Sequence, residues 1–321
     1  MKWCLMNWYP MKKNVIRLFS QLVAAMAAVL LLANGMMVSA HAEGKKTVTV
    51  TTSFLRDMVK QLAGDLVDME LIIPPGEDPH LYVAQPQDME KIMKADLLLY
   101  HGLHFEGKIA EILEMRGVAV SKDFDTQSVG MMEQDGETVL DPHFWFDLTL
   151  YEQAVHTAAE ALRELLPDHG EQIASSEADY VRQLRALDQE IREKLAAIPE
   201  ESRYLVTPHD AFNYFSRSYG VEVVAPQGVS TDTEVSGKDI ENTVNFIVDH
   251  QIKAVFAETT TNPERMEKLR EAAAAKGWNV TVVQGEGREL FSDSLAPEGK
   301  PGDTFLDMYR HNVDLMVEYL K

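Results

Sequence analysis

Two α/β lobes with parallel-type sheets flanked by helices, joined by one long rigid backbone helix, are the fold class this sequence predicts. Three observations carry that reading. Short β-branched or apolar runs alternate with helical stretches in both halves of the chain, the pattern of a parallel sheet covered by helices. Between the halves, residues 168–198 hold no Pro, and no Gly after Gly170. Ile173, Tyr180, Leu184, Leu187, Ile191 and Leu195 recur there at spacings of three, four or seven. This is one amphipathic helix of roughly 40 Å at 1.5 Å per residue, read as a spine between lobes, with a coiled coil as the alternative. Third, a Pro-His pair recurs at Pro79-His80, Pro142-His143 and Pro208-His209, each after or at the end of a short apolar run. Proline fixes φ and biases the residue before it towards an extended shape, so each pair is a stiff loop tip presenting one imidazole.

The division that follows is a leader over 1–42, a first α/β lobe over 43–166, a connecting helix over 167–199 and a second lobe over 200–321. In the leader, Lys12, Lys13 and Arg17 precede an apolar run over 18–32, and small residues around Ala40 and Ala42 complete a secretory signal. Cleavage after Ala42 fits slightly better than after Ala40, and Met11 is an alternative start. The run is short for a membrane span. Cys4, the only cysteine, lies before the apolar run and leaves with the leader. The expected exported protein is therefore free of disulfides, and any metal site in it uses nitrogen and oxygen donors.

In the first lobe, the β-branched residues 47–52 read as a strand. Ser53 caps a helix over 54–63 that Gly64 ends. A second strand over 67–73 runs into the rigid loop Pro74-Pro75-Gly76-Glu77-Asp78-Pro79-His80. Gln85-Pro86-Gln87-Asp88 starts the next helix. Leu97-Leu98-Leu99-Tyr100 is an uninterrupted apolar run, as in a parallel strand buried on both faces, and ends at His101-Gly102-Leu103-His104. Residues 118–120 form a short strand. Residues 131–139 read as an acidic loop leading to Asp141-Pro142-His143, and 151–166 as a helix broken by Pro167. The second lobe repeats the pattern. Its strands are 203–207, 221–225, 254–258 and 280–283. Its helices are 210–219, 239–251, 263–276 and 302–320.

The composition, 45% hydrophobic and 25% charged, is that of a soluble globular protein. A formal charge of −21 argues against a nucleic-acid partner, which needs a basic stripe. It suits attraction of cations, though solubility accounts for it as well. Neutral imidazole is the commonest protein ligand for divalent transition metals. Open α/β sheets bind ligands beyond the carboxyl ends of their strands, where His80 and the His101/His104 pair fall. A lone loop histidine is usually a surface residue; three on stiff tips point to one ion. From spacing alone a fourth, oxygen ligand is open among Asp293, Asp303, Glu258 and Asp147. Three imidazoles and a carboxylate suit tetrahedral Zn²⁺, or Mn²⁺ at higher coordination if the carboxylate is bidentate.

Five stretches make the pattern specific: Gly76-Glu77-Asp78-Pro79-His80-Leu81-Tyr82, Asp141-Pro142-His143-Phe144-Trp145-Phe146-Asp147, Thr207-Pro208-His209-Asp210-Ala211-Phe212-Asn213-Tyr214-Phe215, Gln227-Gly228-Val229-Ser230-Thr231 and Leu290-Phe291-Ser292-Asp293-Ser294-Leu295. With them the chain resembles the zinc/manganese solute-binding proteins of bacterial ABC importers, the TroA-like (cluster A-I) family, over residues 46–321. The resemblance implies a metal held in the cleft between the lobes by His80 and His143 from the first and His209 and Asp293 from the second. Asp303 becomes a surface or capping residue. Family members with Glu at the His209 position are typically manganese or iron binders. Histidine there leaves Zn²⁺ and Mn²⁺ open, and the lack of a long His-rich loop after His80 leans towards manganese or mixed use.

The implied partners are a membrane permease with its cytoplasmic ATPase, and the implied state is a monomer without enzyme activity. No cysteine follows the leader, so a free periplasmic protein is expected. The rival reading is a secreted zinc metallohydrolase on a His₃ site, with Glu258 as its base. Among the remaining residues, Glu258 is expected to support a ligand imidazole, Asp78 and Asp141 to orient loops, and Trp145 to fill core. His156, His169, His250 and His311 are expected on solvated helix faces or ends.

Overall fold

The structure, a computed structural model, describes residues 44–134 and 137–321. The leader and Cys4 lie outside them. Strand β1 (Lys46–Val50) is central to a four-stranded sheet with β2 (Val67–Leu71), β3 (Leu97–Tyr100) and β4 (Val118–Ala119), in the order β2-β1-β3-β4. All pairs are parallel, with Val48 opposite both Met69 and Leu97. Every strand therefore ends at the same edge, and the loop carrying His80 leaves from there.

Helix α1 (Ser53–Ala63) crosses from β1 to β2 and buries Phe54, Leu55, Met58, Val59 and Leu62. Its cap is Thr52, whose hydroxyl accepts from Leu55 N, rather than the expected Ser53. Ser53 Oγ instead accepts from Leu295 N at 2.9 Å, tying this turn to the far end of the chain. Gly64 closes the helix at φ 51°, a value that favours glycine. Helix α2 (Pro86–Lys94) follows β2. The short α3 (Ala110–Glu114) lies between β3 and β4.

The expected acidic loop is a hairpin. β5 (Met131–Gln134) pairs antiparallel with β6 (Glu137–Leu140), Met131 opposite Leu140 and Gln134 opposite Glu137. Acidity suggested a loop, but the two residues between the strands are Asp135-Gly136, a strong two-residue hairpin signal that needs no apolar face.

Helix α4 (Leu148–Leu165) leads to α5 (Gly170–Leu195), the 26-residue spine, about 39 Å long. Its buried residues are the six of the predicted stripe. It packs against α1, α4 and the C-terminal helix α9 (Phe305–Leu320).

The second lobe runs β7 (Tyr204–Val206), α6 (Asn213–Tyr219), β8 (Glu222–Val224), α7 (Gly237–Asp249), β9 (Ala254–Phe256), α8 (Glu264–Ala275) and β10 (Thr281–Val283). Its strands form two parallel pairs, β7 with β8 and β9 with β10. They are shorter than expected. Beyond them single bridges join His209 to Gln227 and Glu258 to Leu290, so residues that the sequence placed at strand ends stand just past them.

One hydrophobic cluster runs through the whole described chain, from Val48 and Phe54 through Leu187 to Phe212, Phe305 and Tyr309. Smaller outer clusters serve one lobe each, around Ile72, Leu98 and Leu113 and around Val244, Val255 and Leu269.

Candidate metal centre

His80 ends the loop after β2. Its backbone N–H donates to Asp78 Oδ1 at 2.9 Å, and Asp78 Oδ2 accepts from Thr231 Oγ1 at 2.6 Å. The loop lies so close to Gly107 that a Cβ there would fall 2.4 Å from the His80 carbonyl oxygen. Any side chain at 107 would displace the imidazole's anchor.

His143 follows β6. Asp141 Oδ1 accepts from its backbone N–H at 3.0 Å and stands 2.8 Å from its Nδ1. Asp141 is itself held from the second lobe, by Asn213 Nδ2 on Oδ2 at 3.1 Å and by Tyr214 OH on its carbonyl at 2.9 Å. His209 stands past β7, its Nδ1 2.6 Å from Glu258 Oε2. Asp293 follows β10 on the loop Leu290-Phe291-Ser292. There Trp145 Nε1 donates to the Ser292 carbonyl at 2.9 Å.

A carboxylate on Nδ1 fixes the tautomer and turns the Nε2 lone pair inward. Asp141 does this for His143 and Glu258 for His209. One donor atom from each of His80, His143, His209 and Asp293 lies within 4.8 Å of the others. His80 is 3% exposed and the other three are fully buried. Asp293 Oδ1 approaches His143 Nε2 to 3.3 Å and Oδ2 approaches His209 Nε2 to 3.2 Å. Even so, the three Nε2 atoms and Asp293 Oδ1 have no hydrogen-bond partner among the described residues. Buried polar atoms are normally paired, and four unpaired ones in one place are costly. A cation between them satisfies all four at once.

The electrostatics divide the imidazoles. Burial pulls His80 down to about 3, with Asp293 offsetting it only in part. Burial also opposes charge on His143, but the bond to Asp141 and the nearby Asp293 carboxylate outweigh it and raise the group to about 9. His209 is raised well above its ordinary value, Glu258 and Asp293 overcoming burial. Asp293 is held well below the carboxylate range, the two imidazoles outweighing its own burial. Burial aside, the pairing of Asp293 with the two imidazoles favours the ionised carboxylate and the protonated rings.

The other candidates separate cleanly. Asp147 caps α4 through Thr149 N at 2.9 Å and pairs with Arg217 at 2.8 Å. Asp303 accepts from Gly299 N at 2.6 Å in a turn. His101 is buried but bonds Thr52 Oγ1 at 2.8 Å, with the Phe105 ring between it and both His80 and His143. His104 is exposed at the cleft mouth. Trp145 is core, as expected, and also holds the Asp293 loop. Sequence reasoning passed over Asn213 and Tyr214. Both lie in the quoted stretch around His209, as polar groups in an otherwise aromatic run.

Comparison with known proteins identifies the family. The family model described as the zinc-uptake complex component A, periplasmic (ZnuA), matches residues 48–319. The chain belongs to this family. Among its relatives, the zinc-binding protein TroA of Treponema pallidum is 39% identical over 286 residues, 88% of this chain and 91% of that one. The manganese-binding lipoprotein MntA of Bacillus subtilis is 35% identical over 285 residues, 87% of this chain and 91% of that one. Among solved structures, a TroA studied for its metal-binding specificity is 61% identical and superimposes with a TM-score of 0.86, covering 87% of this chain and 100% of its own.

The ZnuA-family relatives correct one expectation. Several are lipoproteins, including the manganese-binding MntA and the streptococcal PsaA and FimA. The reading of a free periplasmic protein with no lipid-bearing cysteine does not stand against them; what they support is an extracytoplasmic place. The physical reason is that the fold shared with these relatives is indifferent to anchoring. The expectation rested on the leader alone, which lies outside the described residues.

Proposed function

We propose that this ZnuA/TroA-family chain is the extracytoplasmic receptor of a metal ABC importer. It captures Mn²⁺ or Zn²⁺ between its lobes, on His80, His143, His209 and Asp293, and delivers the ion to a membrane permease driven by its ATPase. The observation that carries this is the convergence of four buried, unpartnered donors from both halves of one chain. The lobes are taken as residues 43–166 and 200–321 with the connecting helix over 167–199. The receptor acts as a monomer, since one chain supplies every donor.

No chemistry is assigned to the site. The metallohydrolase reading needs a free carboxylate as base, and Glu258 is spent on His209 at 2.6 Å. Four protein donors suit capture, where a catalytic zinc site keeps a position for water.

The test is calorimetric titration of the metal-free protein. His143→Ala should lower affinity by roughly a hundredfold to a thousandfold, a quarter of a typical four-ligand zinc free energy, with the fold unchanged by circular dichroism. Unchanged affinity would remove His143 from the site. Zinc should bind more tightly than manganese whatever the cargo. The cargo is therefore read from the metal content of cells lacking the protein.

A further inference from the structure

The mouth of the cleft is a recess of about 580 Å³, walled in part by His80, His104, Lys108, Leu140, Ser230 and Asp232. His80 is common to the recess and the buried centre: it is 3% exposed, and its Nε2 has no partner. His104 reaches the recess by an unusual path. Gly102, Leu103 and His104 follow β3 at φ 84°, 55° and 60°, three successive residues in the left-handed region that L side chains seldom adopt. Such backbone persists where the surroundings enforce it, commonly at functional sites. The His104 ring is exposed and has no hydrogen-bond or ion-pair partner among the described residues. Asp232, from the second lobe, also lines the recess and pairs with Lys108 at 3.4 Å.

We propose that this recess is an outer capture site for the divalent ion, in which His104 supplies the first protein nitrogen, Asp232 supplies charge, and His80 takes the ion inward. The proposal rests on the metal-receptor reading above. An incoming ion carries a shell of water that four protein atoms must replace. Six waters occupy about 180 Å³ at the liquid's roughly 30 Å³ each, so the recess admits a hydrated ion whole. One imidazole at the mouth lets the exchange begin before the ion reaches the closed centre. Lys108 offsets the charge of Asp232, which keeps the outer site weak and lets the ion pass on. His80 then exchanges one protein nitrogen for the next without returning the ion to water.

The experiment mixes metal-free protein with Zn²⁺ in a stopped-flow instrument and follows tryptophan emission. Trp145 serves as reporter, its ring 5.2 Å from that of His143. His104→Asn removes the imidazole but keeps a residue that tolerates positive φ. Its association and dissociation rates should both fall about tenfold, since the ion enters and leaves by the same path, while one tight equivalent still binds with wild-type affinity. Asp232→Asn should slow association more at low salt than at high. An association rate in His104→Asn within twofold of wild type, with the tight equivalent intact, overturns this proposal and leaves the receptor reading standing. Absence of any tight equivalent in the wild type overturns both.

Discussion

The floor and the mouth of the cleft are both places where the lobes meet, and they are built from different materials. At the floor the bonds are buried. Trp145 reaches Ser292, Leu295 N reaches Ser53, and Tyr309 OH donates to the Phe146 carbonyl at 2.9 Å. The Phe146 and Phe212 rings pack at 4.4 Å. At the mouth the lobes meet through Thr231 on Asp78 and the half-exposed pair Lys108–Asp232. The proposed ligands follow the same division. His143 and His209, on the floor, each have a carboxylate on Nδ1. Among the described residues none backs His80, whose loop borders the mouth. Two imidazoles are thus fixed in orientation before metal arrives, and the third is positioned mainly by its backbone. The difference teaches that pre-organisation is concentrated where the ion is proposed to stay, and looseness where it is proposed to pass.

The contrast can be broken first at the floor. Glu258→Gln replaces the charge behind His209 and should weaken zinc binding about ten- to a hundredfold, as loss of a supporting carboxylate typically does. A titration showing wild-type affinity would mean that His209 needs no such support. Next, metal must displace the protons that the floor holds. His143 is raised to about 9, so below that pH zinc competes with a proton there. Apparent affinity should rise about tenfold per pH unit for each proton displaced, from pH 6 towards 9. Proton release, measured in buffers of different ionisation enthalpy, should accompany binding; none at pH 7 would refute the assignment. The sign reverses for the metal-free fold. Its His143 pairing stabilises fully below the ordinary histidine range and is lost as pH rises through 9. The smallest effect is expected at the mouth. Lys108→Ala breaks a half-exposed pair and should change stability by less than about 1 kcal/mol in urea. A larger loss would show that the mouth holds the lobes together after all.

How far the sequence discloses this centre depends on what fixed each part. The three histidines were legible because proline stiffens each tip by covalent geometry, which is local. The spine was legible because its six buried residues keep a helical period over its whole length. Asp293 was not singled out by spacing. Nothing before it in the chain distinguishes it from Asp303, and only the motif around it did. What places it is contact with residues far off in sequence, Trp145 above all. Glu258 was legible as a strand-end carboxylate, but its partner was not, since a bond to His209 spans 49 positions. The pairing of 131–134 with 137–140 was not legible because it rests on backbone register, while the side chains are mixed and acidic.

Asp57 accepts from Phe305 N at 2.9 Å, 248 positions along the chain, and the Tyr151 ring stacks on Phe305 at 3.8 Å. Helix α9 thereby completes the packing of elements made some 248 positions earlier. A growing chain can form β1 and α1 early, but the part of their core that Phe305 fills stays open until α9 has been made. Folding is then a late, chain-wide event, with apolar surface exposed throughout elongation. Loss of α9 would therefore reopen the core behind β1 and α1, although no proposed ligand lies on that helix.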